Sequence, residues 1–123
     1  IYLPCIKPGK KMLFRPWHTN TPLVKNRYRI QEPHSRLQFS PRQLHVVLTP
    51  LVAFDKKGHR LGMGAGFYDR AFAFRNASWR LTPLLIGLAH GFQKLDAIER
   101  NHWDVGLSLI QTESQLFFAK YRS

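Results

Sequence analysis

Gly58-His59-Arg60-Leu61-Gly62-Met63-Gly64-Ala65-Gly66-Phe67-Tyr68-Asp69-Arg70 is the stretch on which the reading of this chain turns. Glycines alternate at 62, 64 and 66, with an arginine before them and Tyr68-Asp69-Arg70 after. Glycine tolerates positive φ and has no Cβ, so such a run can curl and aim successive backbone N–H groups at one point, which is how backbone holds a phosphate. Beyond it Phe67, Ala71 and Phe74 fall at i, i+4 and i+7, one face of a helix that starts where the glycines stop. A helix N-terminus there would add its dipole to the same cradle. Leu44 to Phe54, rich in Leu and Val, precedes it as a strand, so the expected order is strand, loop, helix.

The run is neither of two familiar phosphate motifs. A Walker A loop ends in Gly-Lys-Ser/Thr, and no lysine stands here; the dinucleotide fingerprint needs glycine at position 67, which is Phe67. A tight turn with no ligand has the same spacing.

At 123 residues and 44% hydrophobic, the chain has room for one domain with a modest core, spanning 1–123, and is too apolar for a disordered segment. One cysteine, Cys5, excludes an internal disulfide and suits a reducing compartment. No apolar run approaches the roughly 20 residues of a membrane span, and no signal-peptide pattern opens the chain. A soluble, cytoplasmic monomer is the default. The first residues, Ile1-Tyr2-Leu3-Pro4-Cys5-Ile6, read like the middle of a domain, and an N-terminal truncation is expected.

Net charge is +12, and residues 1–42 carry nine lysines and arginines against the single acid Glu32. A field of this sign attracts polyanions, either nucleic acid or a small molecule bearing phosphates and carboxylates. Tyr2 to Ile6 and Lys11 to Arg15 read as a hairpin around Lys7-Pro8-Gly9. Residues 16–43, with four prolines, read as mostly loop. In that loop Trp17 and Tyr28 stand among basic residues, as stacking platforms or as plain anchors. The continuous apolarity of Leu44 to Pro50, repeated at Leu84 to Ala89, suggests strands of a parallel sheet buried on both faces. Leu109 to Thr112 and Leu116 to Ala119 are two further strands, and Leu95 to Arg100 a short helix at most.

Asp69 falls in the first turn of the expected helix. A carboxylate so close to a phosphate repels it unless a divalent cation lies between, and Mg²⁺ is commonly held by one or two carboxylates plus substrate phosphates. Dipole compensation is its structural alternative. Arg60 is placed to clamp a phosphate or to solvate the loop's rim, and Tyr68 to stack on a base or fill the core. Asp104, between Trp103 and Val105, is a semi-buried acid in need of a partner. The six histidines show no zinc-ligand spacing, and no nucleophile elbow supports Ser-His-Asp chemistry.

Pro50-Leu51-Val52-Ala53-Phe54-Asp55, followed by the glycine run and Tyr68-Asp69-Arg70, resembles the signature of the 5-formyltetrahydrofolate cyclo-ligase (methenyltetrahydrofolate synthetase) family. The similarity extends to Tyr2-Leu3-Pro4, Glu32-Pro33, Gly87-Leu88-Ala89 with Gln93, His102-Trp103-Asp104 and Thr112-Glu113. It implies an ATP- and Mg²⁺-dependent ligase that converts 5-formyltetrahydrofolate to 5,10-methenyltetrahydrofolate. ATP is then bound by Arg60, Leu61, Gly62, Met63, Gly64, Ala65, Gly66, Phe67 and Tyr68, with Arg60 and Tyr68 catalytic, and Mg²⁺ by Asp69 and Asp104. The implied fold is a three-layer, Rossmann-like α/β domain: a largely parallel sheet with helices on both faces, here its C-terminal portion without the family's N-terminal segment. The substrate, with or without further glutamates, is itself a polyanion, which gives the basic first third a use. A truncated, non-catalytic or nucleic-acid-binding remnant of the same fold is the alternative. Met63, Ala65 and Phe67 replace residues that are often tyrosine, glycine and tyrosine in the family; His45 stands where aspartate is usual, and Arg29 where glycine is usual.

Overall fold

The computed structural model describes residues 1–76 and 82–119. Where the sequence shows no boundary, the chain divides into two compact units, Ile1–Leu44 and His45–Ser123.

In the first unit β1 (Tyr2–Lys7) and β2 (Lys11–Pro16) form the expected antiparallel hairpin, with Cys5 opposite Leu13. Strand alternation buries Cys5 on one face of the hairpin and Met12 and Phe14 on the other. The stretch expected to be mostly loop contains a second hairpin, β3 (Leu23–Lys25) and β4 (Gln31–Pro33). Its prolines hid it: Pro22 and Pro33 flank or end the strands, where a missing N–H costs no ladder bond. The turn between them is built by Asn26, whose Oδ1 accepts the N–H groups of Tyr28 and Ile30 at 2.8 and 3.1 Å. Arg29 takes a left-handed φ of +64° in that turn, at the position where a glycine is expected. Glu32 Oε2 accepts the Ile6 N–H at 2.7 Å and Asn26 Nδ2 at 2.8 Å, joining the two hairpins. Trp17 has its indole nitrogen enclosed and acts as an anchor, whereas Tyr28 is exposed with the Arg27 guanidinium 5.0 Å above its ring.

The second unit holds β5 (Val46–Thr49), the short pair β6 (Ala53–Phe54) and β7 (Arg60–Leu61), the helix α1 (Phe67–Ala71), β8 (Leu84–Leu88), β9 (Leu109–Gln111) and β10 (Leu116–Phe118). Its main sheet has the order β10-β9-β8-β5, parallel from β5 through β8 to β9 and antiparallel at β10. The fold is therefore mixed α/β. The helical layers expected on both faces are not found among the described residues, where α1, five residues long, is the only α-helix. Leu95 to Arg100 is not helical either; a 3₁₀ turn at Gly91–Gln93 comes before it instead.

Burial in the sheet alternates. Val47, Thr49, Leu85 and Ile110 point inward, and Phe54, Phe72, Val105 and Leu107 are buried in the same unit; Phe117, opposite Ile110, meets Phe54 with ring centroids 5.6 Å apart. The other face carries Val46, Leu48, Leu84, Ile86, Leu88, Leu109, Leu116 and Phe118 in register across four strands. There Leu48 is 60%, Leu88 57% and Phe118 68% exposed. The continuous apolar runs that suggested strands covered on both faces are, among the described residues, covered on one.

Candidate functional site

The glycine run leaves β7 and enters α1 at Gly66, as its sequence suggests. The helix buries a different line of residues from the one expected. Phe72 is fully buried, Arg75 nearly so, and Tyr68 stacks on Phe72 at 6.2 Å, so the inward line is Tyr68, Phe72 and Arg75, one position along from Phe67, Ala71 and Phe74. The i, i+4, i+7 spacing is kept and only its phase moves by one residue, the line running from α1 into a 3₁₀ turn at Ala73–Arg75. At five residues α1 is also too short to supply a substantial macrodipole.

Arg60 spans the base of the loop. Its side chain is 6% exposed; Nη1 donates to the Pro50 carbonyl at 3.3 Å, Nη2 donates to Asp69 Oδ1 at 3.2 Å, and the guanidinium lies 5.9 Å from the Tyr68 ring centroid. Arg60 thus links β7 to α1 across the run rather than solvating its rim. Burial pushes the Tyr68 phenol above its ordinary range, opposed by the charge of Arg60, so Tyr68 is a neutral donor at physiological pH.

Two of the three alternating glycines take left-handed backbone angles. Gly64 and Gly66 have φ of +94° and +73°. Arg70 Nη2 donates to the Ala65 carbonyl at 2.8 Å, and its guanidinium lies 5.5 Å from the Phe67 ring centroid. Among the described residues, the N–H groups of Gly62 to Gly66 donate to no protein acceptor. A Cβ on Gly64 would meet nothing within 4 Å, so open space lies beside its backbone.

That space belongs to a pocket of about 590 Å³, within the range of roughly 300–1,000 Å³ typical of small-molecule sites. Gly64, Ala65 and Gly66 form one side; Asp69, Arg70 and Asn76 come from α1 and the turn after it, and His102 and Trp103 from the segment before β9. Of the residues assigned by resemblance, the pocket takes in Gly64, Ala65, Gly66 and Asp69. Arg60, Leu61, Gly62, Met63, Phe67, Tyr68 and Asp104 do not line it. Arg70, Asn76, His102 and Trp103 were missed as site residues.

The segments bearing the two acids are joined through a backbone amide. Asp69 Oδ1 accepts the Val105 N–H at 3.0 Å, the amide just after Asp104. Asp104 is semi-buried, as expected, and Arg100 reaches its backbone and not its carboxylate: Arg100 Nη2 and Asn76 Nδ2 donate to the Asp104 carbonyl at 3.0 and 2.9 Å, while its Oδ2 accepts the Asn101 N–H at 2.9 Å. Among the described residues no group of three or more His, Cys, Asp or Glu could enclose a metal. Asp69 at the pocket wall fits the other pattern, one or two carboxylates completed by ligand phosphates.

Below the loop, Asp55 is 2% exposed. Oδ1 accepts the N–H groups of Lys57 and His59 at 2.9 and 3.1 Å; Oδ2 meets His59 Nδ1 at 2.9 Å and accepts the Ile98 N–H at 3.0 Å. Burial works to raise its pKa, but the bonds from Ile98, His59 and Lys57 outweigh it and hold the carboxyl below the usual carboxylate range. Asp55 fixes the β6–β7 turn that carries Arg60.

Comparison with known proteins converges on one family. Its profile, that of the 5-formyltetrahydrofolate cyclo-ligase family, matches residues 1–113. The 5-formyltetrahydrofolate cyclo-ligase of Haemophilus influenzae is 41% identical over 112 residues, covering 87% of this chain and 58% of the relative; that of Escherichia coli K12 is 36% identical over 121 residues, covering 95% and 65%. This chain thus spans less than two thirds of either relative. The NMR structure of Aquifex aeolicus 5,10-methenyltetrahydrofolate synthetase superposes with a TM-score of 0.79 at 28% identity, over 99% of this chain and 60% of that one. The Mycoplasma pneumoniae synthetase superposes with a TM-score of 0.60 at 31% identity, over 89% and 53%. Matched over residues 1–113 and 41% and 36% identical to these relatives, the chain belongs to the 5-formyltetrahydrofolate cyclo-ligase family.

Proposed function

We propose that this protein is an ATP- and Mg²⁺-dependent 5-formyltetrahydrofolate cyclo-ligase producing 5,10-methenyltetrahydrofolate. The observation that carries the proposal is the glycine loop: two glycines at left-handed φ and a run of unspent N–H groups, beside a pocket with Asp69 and Arg70 on its wall. ATP would supply the phosphoryl group that turns the formyl oxygen into a leaving group, so that N10 can close the ring by attacking the formyl carbon. The chain's own residues position and neutralise, as in other phosphoryl transfers. The amides of Gly64 to Gly66 hold phosphate oxygens, and Arg70, already on the Ala65 carbonyl, keeps the loop curled and adds positive charge. Asp69 would be the first carboxylate for Mg²⁺ and Asp104 the second, the cation offsetting phosphate charge. Arg60, paired with Asp69 and beside the Tyr68 ring, would add positive charge at the base of the loop.

In the same reading residues 1–123 are the C-terminal portion of one cyclo-ligase domain, whose complete fold is three-layered. The basic residues of the first unit attract the folate and its glutamate tail. No helix among the described residues is long and apolar enough to cross a membrane, and a cytoplasmic monomer is proposed.

Titration calorimetry with ATP, with and without Mg²⁺, together with chromatographic detection of product from 5-formyltetrahydrofolate, tests the proposal. Binding that requires Mg²⁺ and varies little with salt supports it. The second reading, a nucleic-acid-binding remnant, draws on Tyr28, exposed under Arg27 on a hairpin of the basic unit. Duplex binding with log K falling against log salt at a slope of about −0.9 per phosphate, in the absence of ATP binding, would replace the first reading by the second.

A further inference from the structure

We propose that Trp103 is the platform on which the heteroaromatic base of the nucleotide stacks, so that one pocket takes both the phosphates and the base of a single molecule. The inference rests on the reading of the glycine loop as the phosphate seat.

Trp103 is 57% exposed, yet it lines the same pocket as that loop. A large aromatic side chain left open inside a concavity keeps a π-face available for a flat ligand. Its neighbour His102 meets it edge to face, with centroids 4.8 Å apart and planes at 79°, an arrangement that props the indole without stacking over it. The backbone beneath is pinned from three directions: Asn76 and Arg100 donate to the Asp104 carbonyl, Asp104 Oδ2 accepts the Asn101 N–H, and the Val105 N–H reaches Asp69 on α1. The backbone that carries Trp103 is therefore tied to α1, the helix that the glycine run enters. The loop amides recognise only phosphate, so a platform across the same pocket supplies what they lack, preference for a nucleotide over a bare polyphosphate. The pterin of a folate is also a flat heteroaromatic ring; the nucleobase is favoured because ring and phosphates then share one pocket.

The test is calorimetry in Mg²⁺ buffer with ATP, inorganic tripolyphosphate and 5-formyltetrahydrofolate on the parent chain, Trp103→Phe and Trp103→Ala, with melting curves for each. Stacking of a base on an aromatic side chain corresponds to about a 5- to 100-fold change in affinity. The expected result is that Trp103→Ala weakens ATP by about that factor, Trp103→Phe retains most of the affinity, and tripolyphosphate binds all three alike. Unchanged ATP affinity in Trp103→Ala overturns the platform, as does an equal loss for ATP and tripolyphosphate, which marks a structural role. Loss of folate binding alone moves the platform to the pterin. If the parent binds neither ATP nor tripolyphosphate, the phosphate seat itself fails and the platform with it.

Discussion

The carboxylate of Asp69 and the backbone of Val105 are joined by a 3.0 Å hydrogen bond that ties α1 to the segment bearing Asp104. The same oxygen receives Arg60 at 3.2 Å, so Asp69 has a structural task alongside any metal. Asp69→Asn keeps an oxygen for the amide and loses the charge. The expected outcome is turnover lowered about 10- to 100-fold and a raised Mg²⁺ requirement, with a small fall in Tm; Asp104→Asn follows the same pattern more weakly. Titrating activity against Mg²⁺ decides the point, and lost Tm with an unaltered Mg²⁺ curve assigns both acids to structure alone.

Gly64→Ala and Gly66→Ala separate binding from folding. Alanine at φ of +94° or +73° costs roughly 1–2 kcal/mol of backbone strain. The Gly64 methyl meets no protein atom within 4 Å, while the Gly66 methyl presses on the movable end of Arg70 at 3.0 Å. Stability should fall by no more than the strain, and ATP affinity by considerably more. Equal ATP affinity in both variants and the parent rules out the amide cradle.

Arg29 offers a gain. A non-glycine residue at φ of +64° carries strain of about 1–2 kcal/mol, partly offset by the extra backbone entropy glycine loses on folding, about 0.5–1 kcal/mol. Arg29→Gly should therefore stabilise the chain by roughly 0.5–1 kcal/mol, read as a higher denaturant midpoint. Arg29→Ala, with the strain intact, should not; matching midpoints for both variants would locate the effect in the arginine side chain.

Asp55 makes the fold acid-sensitive. Its pKa is lower folded than unfolded, so the folded state gains stability at every pH above the unfolded carboxylate value of about 3.9, and loses that gain as pH falls through the depressed folded value. Asp55→Asn removes the charge that four donors converge on and should cost about 2–4 kcal/mol. Unfolding midpoints between pH 7 and pH 3 should decline less steeply in the variant than in the parent. Parallel declines would show that other carboxyls carry the acid sensitivity.

What the sequence made legible was local. Alternating glycines announce their own backbone angles, and the helix begins at the residue where they stop. Chemistry closed across the chain was not legible. The Asp55 knot needs Ile98, 43 residues away, and the far wall of the pocket, His102 and Trp103, stands more than thirty positions beyond the glycines, so no spacing rule connects them. The inward line kept the expected spacing but not its phase, because its third member, Arg75, is a buried arginine that an apolar pattern passes over. The β3–β4 hairpin was obscured by prolines that read as loop residues but sit at strand margins.

The open apolar face of the main sheet sets how this molecule behaves in bulk. With a net charge of +12, copies are kept apart by long-range repulsion while Leu48, Leu88 and Phe118 offer short-range cohesion. Salt at physiological strength shortens the reach of that repulsion to about 8 Å, and strongly hydrated anions such as sulfate at the same time strengthen apolar burial. Both changes act in one direction, so the chain should stay dispersed in dilute chloride and self-associate more readily where sulfate is plentiful, a difference that light scattering in the two salts would read.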